Sequence, residues 1–312
     1  MADIVISEFM DEDAVAGLSA GFDVHYDPDL VDKLDDLTRA VADARGLIVR
    51  NRTQVKGDLL AAAPLLRVVG RLGVGLDNID VDACRERNVE VRTAGAANAN
   101  AVAEYVIGAA FGLVRGALRG SERVAAGEWP RQEMVGIELA GRRMGLVGLG
   151  GIARLVAIKA AALGMEVTAH DPILSPHDSA WLLATSVELS TLLRESDIIS
   201  LHVPLLESTR HLIGSSAIEA MNPGAIVINT SRGGIVDEEA LFAALRADRL
   251  GGAALDVFET EPVGPDQRHR FAGVPNLILT PHIAGLTEES QRRVGEVTAD
   301  NVRDVLAGPE LP

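Results

Sequence analysis

Three short stretches late in the chain carry side chains suited to acid–base chemistry on a small anion. "INTSRGGIVD" supplies Arg232, "LDVFETEPVG" supplies Glu261 and "LTPHIAG" supplies His282. Histidine exchanges protons near neutral pH, a carboxylate can orient its ring, and a guanidinium offers a planar fork to a carboxylate. Singly, each has a plainer reading: a surface arginine, a solvated glutamate, a core histidine. Each, however, lies a few residues past an apolar run and sits beside glycine or proline. Three such coincidences in one half of the chain favour a shared site.

A fourth stretch, "MGLVGLGGIAR", spells Gly148-x-Gly150-x-x-Ala153. The run "RMGLV" before it reads as a strand, "IARLVAIKAAALG" after it as a helix, and the next strand, "MEVTAHD", ends in an acid. Asp171 follows Gly148 by 23 positions, close to the roughly 20 expected of a ribose-binding carboxylate. Gly148 permits the tight turn and Gly150 lets backbone approach a pyrophosphate. The third position governs only helix–strand packing, where an alanine methyl is tolerable. The helix N-terminus then offers free N–H groups to phosphates. A dinucleotide is expected. Asp171 can accept hydrogen bonds from the ribose hydroxyls of NAD and repels a 2′-phosphate, so NAD is favoured, while Arg154 leaves NADP open.

The elements that must hold these residues come in two series. "DIVISEF", "FDVHYD", "GLIVR", "LRVVGRL" and "VEVRT" alternate with helical patterns in the first third. A long helix is predicted from about 100 to 126. Then "RMGLVGLG", "GMEVTAHD", "DIISLHV", "GAIVINT", "GGAALDVF" and "NLILTPH" form the second series, and an amphipathic helix is predicted from Glu288 to Leu306. Such βαβ alternation predicts parallel sheets covered by helices, in two doubly wound halves joined near residue 98 and again near Gly285. Ligands belong at the carboxyl ends of the strands, where two such edges are expected to face a closing cleft.

The 312 residues, 47% of them hydrophobic, suffice for two cores. A net charge of −16 excludes general affinity for nucleic acid or anionic membrane, so an anionic substrate needs a local cluster of arginines. One cysteine, Cys84, allows no internal disulfide and reads as a small core residue. The opening "MADIVISEFMDED" turns acidic at once and is not expected to be a signal peptide, and no uncharged apolar run reaches membrane-spanning length. A cytoplasmic protein without a metal site is expected.

Together with "GRLGVGLDNID", "HDP" and "LHVPLLESTRHLIG", these motifs, in this order over almost the whole chain, resemble the D-isomer-specific 2-hydroxyacid dehydrogenase family, particularly its phosphoglycerate dehydrogenase-like branch. The resemblance implies an α/β fold with a Rossmann-type cofactor domain and a smaller flavodoxin-like substrate domain. Residues 1–97, with the 287–312 helix returning to them, would bind substrate, and residues 98–286 would bind NAD. It implies a homodimer built on the long helix and the loop through Trp129. Hydride transfer at C2 needs a proton donor or acceptor on the C2 oxygen: His282 would fill that role, oriented by Glu261, while Arg232 binds the substrate carboxylate. Backbone N–H groups near Val74 and Gly75 resemble a second carboxylate anchor. Gly148, Gly150, Gly151, Ile152, Asp171, Val203, Pro204, Thr230, Ser231, Arg232, Asp256 and His282 would line the cofactor, with Asp256 near the nicotinamide carboxamide. His202 reads equally as a cofactor neighbour or a core histidine.

The substrate's far end is the open question. "VRNRTQV" resembles the R-S-R-T pattern of some family members, which gives Arg52 to a second anion; the plainer reading pairs Arg52 with an acidic neighbour. The opening "IVISEFMDEDAV" looks like sulfolactate dehydrogenase-type members. The rival reading is an NAD-sensing corepressor-like protein, since such relatives keep the same three residues. A formate dehydrogenase-like activity is disfavoured, because that branch puts an amide where Glu261 stands.

Overall fold

The computed structural model describes residues 2–116, 118 and 120–308. By their contacts they fall into two compact units. One is the chain up to Asn98 together with the segment from Leu286 onward, and the other is Ala99–Gly285.

In the first unit, β1 (Ile4–Ile6), β2 (Val24–Tyr26), β3 (Gly46–Val49), β4 (Val68–Arg71) and β5 (Glu90–Thr93) form a wholly parallel sheet of order β2-β1-β3-β4-β5. Side chains alternate across it, as the two-residue period of a strand requires. Val5, Leu47, Val49 and Val69 pack under the Leu34–Val41, Gly57–Ala61 and Val81–Glu86 helices. Ile4, Ile6, Ile48 and Val68 pack against the Glu12–Ser19 helix and the closing Glu288–Ala307 helix. Burial on both faces explains why β1 and β3 read as unbroken apolar runs. The closing helix starts in a capping box between Thr287 and Ser290 and presses close to β4. A Cβ on Gly70 would lie 2.7 Å from Val302 and 2.9 Å from Thr298, so glycine at that strand position sets the helix height.

In the second unit, β6 (Arg143–Val147), β7 (Glu166–His170), β8 (Thr185–Ser186), β9 (Ile198–Leu201), β10 (Ile226–Asn229), β11 (Gly252–Leu255) and β12 (Leu277–Leu279) form a parallel sheet of order β12-β11-β10-β9-β6-β7-β8. The strand order reverses between β6 and β9, and between β1 and β3 in the smaller sheet. Crevices at such reversals are where doubly wound folds bind ligands. The fold class is the one expected. The two-residue edge strand β8, exposed at both positions, is too short to register in the sequence.

The helix expected over 100–126 needs correction. It runs only through Ala99–Arg115, and a separate short helix covers Ser121–Ala125. Gly116, at φ 59°, turns the chain left-handed and ends the first helix; Ala117 and Arg119 lie outside the described residues. The longer helix packs with Gly151–Ala162 on one face of the large sheet, through Ala103, Val106, Ala110, Val156 and Ala160. Among the described residues no helix is long and apolar enough to cross a membrane.

Candidate active site

His282 lies three residues past β12, in a loop that folds back on the end of β11. Its Nδ1 is 2.8 Å from Glu261 Oε2, and Glu261 Oε1 accepts the Phe258 N–H at 2.9 Å. The two sequence-predicted residues are thus brought together, and Nε2 is left as the ring nitrogen that can exchange a proton outward. Burial pushes the Glu261 carboxyl up, but the hydrogen bond from His282, the Phe258 N–H and the nearby Arg232 charge outweigh it. Glu261 ends below the ordinary carboxylate value and stays ionised. His282 itself has φ 55°, a left-handed conformation costly for a side-chain-bearing residue. Its N–H donates to the Asp256 and Thr280 carbonyls, at 2.8 and 3.0 Å.

Arg232 follows β10 and is joined to the Glu261 loop by backbone proximity. A Cβ on Gly233 would overlap the Phe258 carbonyl, so the two loops meet there only because the residue is glycine. Ser231 Oγ donates to the Leu201 carbonyl at 2.6 Å, and Asn229 Nδ2 donates to the Arg232 carbonyl at 2.9 Å, which fixes the loop against β9 and β10. Asp256, fully buried, accepts from Thr280 Oγ1, Ile283 N and Ala284 N at 2.6, 2.8 and 2.8 Å. That commits about three of its four acceptor positions to the His282 loop. A structural anchor was not foreseen for it.

The glycine loop turns between β6 and the Gly151–Ala162 helix. Gly148 has φ 89°, and a Cβ there would sit 2.7 Å from the His202 carbonyl; a Cβ on Gly150 meets no protein atom within 4 Å. Ala153 is fully buried, so its methyl is accommodated. Asp171 Oδ2 accepts the Leu149 N–H at 2.9 Å, while Oδ1 accepts from Ile173 and Leu174. One acceptor position remains for a ligand hydroxyl. Arg154 is held by the Leu149 carbonyl at 3.0 Å and by Asp178 at 3.5 Å. Burial pushes the His202 imidazole down to about 4, and its Nε2 lies 2.9 Å from Ser200 Oγ; it is a half-buried, neutral histidine beside Val203 and Pro204.

In the first unit, the carboxyl end of β3 is organised by a residue that sequence reading missed. Buried Glu8 takes the N–H groups of Arg50 (2.9 Å), Asn51 (3.3 Å), Arg52 (3.1 Å) and Thr53 (3.0 Å) on one carboxylate. Arg52, exposed, forks onto exposed Asp32, with Nη1 donating at 3.1 Å to one oxygen and Nη2 bonded to the other. This is the plainer geometry considered for it. Arg50 is the unusual one. Its guanidinium is partly buried, lies over the Phe9 ring at 5.7 Å and, among the described residues, hydrogen-bonds only the neutral Gln291 Oε1, at 3.4 Å. Burial lowers its pKa from the ordinary arginine value, the nearby Glu8 charge only partly opposing this, and no carboxylate among the described residues forms an ion pair with it. Val74 and Gly75 follow β4 in an exposed turn, with no acceptor for their N–H groups among the described residues.

A family model described as D-isomer specific 2-hydroxyacid dehydrogenase, NAD binding domain, matches residues 107–284. The chain belongs to this family. It is 55% identical over 307 residues, 98% of this chain and 99% of the relative, to an (S)-sulfolactate dehydrogenase of Chromohalobacter salexigens. It is 41% identical to a hydroxypyruvate reductase of Thermotoga maritima, over 84% of each chain. Among solved structures, a D-lactate dehydrogenase from Aquifex aeolicus complexed with NAD and lactic acid superposes with a TM-score of 0.82 at 28% identity, over 97% of this chain and 95% of that one. As a member of the family this protein is an NAD-dependent oxidoreductase acting on a small 2-hydroxy or 2-keto acid.

The residues of this 2-hydroxyacid dehydrogenase fit the dinucleotide on their own terms. No side chain caps the Gly151–Ala162 helix, so its first N–H groups, with Gly151 and Ile152 leading, are available to a pyrophosphate over the uncrowded Gly150. The Thr230 hydroxyl is buried without a hydrogen-bond partner, as expected of a group that meets a ligand. Two exposed apolar side chains, Ile173 just after Asp171 and Leu182, each 89% exposed, suit the flat face of an adenine ring. Their signal in the sequence was only an apolar residue after the acid.

Proposed function

We propose that this dehydrogenase interconverts (S)-sulfolactate and 3-sulfopyruvate, with His282 as the acid–base group, Glu261 as its orienting partner and Arg232 on the C1 carboxylate, helped by the Val74 and Gly75 N–H groups. Bound NAD supplies the hydride acceptor for oxidation and, reduced, the donor for the reverse direction. In ketone reduction His282 Nε2 delivers a proton to the C2 oxygen while Arg232 polarises the carbonyl and holds the carboxylate. In oxidation His282 takes the hydroxyl proton. Glu261, ionised and fixed by the Phe258 N–H, supports the positively charged ring. The first unit is read as the substrate domain and Ala99–Gly285 as the NAD domain.

Arg50 carries the substrate reading. A partly buried guanidinium with no carboxylate in hydrogen-bonding contact, compensated only at a distance by Glu8, is costly unless a ligand completes it. A single unpaired charge matches a sulfonate monoanion better than a phosphate near −2, and Arg52 is diverted to Asp32. We assign Arg50 the far anion, Arg52 being neutralised by Asp32. The hand also agrees. Sulfur outranks the carboxyl carbon's oxygens in the priority rules, so a D-configured sulfolactate bears the label S, and the relative's name and the family's name denote one geometry. The full-length similarity to a sulfolactate dehydrogenase supports the same choice.

Asp171 and the engaged Arg154 favour NAD over NADP. A homodimer is supported by large apolar side chains left exposed between positions 111 and 137, with Trp129 at 76%, Val135 at 75% and Leu118 at 69%. The test is NADH-dependent reduction of sulfopyruvate, phosphohydroxypyruvate, hydroxypyruvate and glyoxylate. Sulfopyruvate is expected to have the highest kcat/KM. An equal or higher value for glyoxylate overturns the substrate reading, and no turnover of any 2-keto acid would favour an NAD-sensing role.

A further inference from the structure

We propose that Tyr105, on the Ala99–Arg115 helix, is a positioning residue that holds the His282 loop in its reactive shape through a hydroxyl relay to Asp256. The proposal rests on the reading of His282 as the acid–base group. The relay is short: Tyr105 Oη lies 2.5 Å from Thr280 Oγ1, and Thr280 Oγ1 donates to Asp256 Oδ1 at 2.6 Å. Its direction follows from proton counting. A carboxylate has no proton to give, so the single Thr280 hydroxyl hydrogen points at Asp256, and the Tyr105 hydroxyl must donate to Thr280. Burial and the Asp256 charge raise the Tyr105 pKa against the opposing hydrogen bond to Thr280, which keeps the phenol protonated and able to donate.

What the relay secures is a strained residue. His282 sits at φ 55° between Thr280, which the relay ties to Asp256, and Ile283 and Ala284, whose N–H groups bind the same carboxylate. Left-handed residues bearing a Cβ persist only where their surroundings over-determine them. Tyr105 is the one link in this set that comes from a helix and not from the strand-end loops. Its ring packs against the core that holds that helix on the sheet. Chained hydrogen bonds polarise one another, so losing the outer donor weakens the inner bond as well.

The experiment is a set of variants assayed for keto-acid reduction and NADH affinity. Tyr105→Phe keeps the ring and removes the donor. It is expected to lower kcat about three- to tenfold with the Kd for NADH unchanged. In a His282→Ala background the same change should leave the residual rate, measured in single turnover, unaltered. Thr280→Val should lose at least as much, Thr280→Ser should retain activity, and Tyr105→Phe/Thr280→Val should be no worse than Thr280→Val alone. Wild-type kcat in Tyr105→Phe, or losses that multiply in the double variant, overturn the relay. Equal fold-losses in the wild-type and His282→Ala backgrounds mean Tyr105 acts generally on the fold and overturn it too. His282→Ala with undiminished kcat overturns the acid–base reading itself. An inactive His282→Ala beside a normal Tyr105→Phe overturns this inference alone.

Discussion

Replacing Arg50 by methionine separates binding from folding in one variant. The guanidinium over Phe9 is partly buried, and its one hydrogen bond, 3.4 Å to a neutral amide, returns little of its hydration. Methionine fills similar space without charge, and replacing an imperfectly compensated buried ion by a well-packed apolar group is often neutral or stabilising. The melting temperature of Arg50→Met is therefore expected to hold or rise. Function should move the opposite way. A charge-assisted contact to a substrate anion contributes about 1.5–3 kcal/mol, which corresponds to about ten- to 150-fold in kcat/KM. Glyoxylate, which has no group beyond its aldehyde carbon, should lose little. The ratio of the two kcat/KM values, sulfopyruvate over glyoxylate, is the quantity to measure, alongside thermal melts with and without sulfolactate. Sulfolactate should raise the melting temperature of the wild type more than that of the variant. An unchanged ratio would refute the assignment of the far anion to Arg50. A variant melting well below the wild type would refute the claim that the charge is poorly compensated.

Gly233→Ala puts a methyl into the Phe258 carbonyl, and because the obstacle is backbone, the loops bearing Arg232 and Glu261 must separate; a stability loss of about 1–3 kcal/mol and a larger fall in kcat are expected, and a wild-type melt would contradict the contact. Asp171→Ser removes the carboxylate and should raise NADPH-linked activity relative to NADH-linked activity at least tenfold; an unchanged ratio of kcat/KM for the two cofactors would remove Asp171 from the ribose site. Glu261 titrates below its ordinary value of 4.5 in the folded protein, so the stability it contributes is full above that pH and disappears only as pH falls through the depressed value. The stability that the Glu261 carboxylate gives the wild type over Glu261→Gln should accordingly shrink, as a difference in melting temperature, when pH falls below about 4.5.

Much of this was legible because parallel strands buried on both faces leave unbroken apolar runs, and the residue just after each run marks the ligand edge. Arg232, Glu261, His282 and the glycine loop stand out in the sequence that way, and His282 and Glu261 do meet. What escaped had no periodic signature. Glu8 reads as any acid closing a strand, and only its four backbone partners, 42 to 45 residues away, reveal its task. Tyr105 reads as a core residue of an apolar helix, because a hydroxyl partner 175 positions later leaves no local trace. Arg50 and Arg52 look equivalent in "VRNRT", yet the turn after β3 sends one over Phe9 and the other to Asp32. Gly116 reads as part of the helix because a glycine inside an alanine-rich run does not announce its φ.

The Glu8 cradle bears on how such an enzyme can change over evolutionary time. Because the shape of the 50–53 turn is dictated through main-chain N–H groups, the side chains it displays are free to vary without reshaping it. A lineage that keeps this one glutamate can try different residues at positions 50, 51 and 52, and so meet new substrates by single mutations that leave folding intact. The reverse also holds. Loss of Glu8 orphans four N–H donors at once, so a substitution there costs the fold more than one at the arginines it supports.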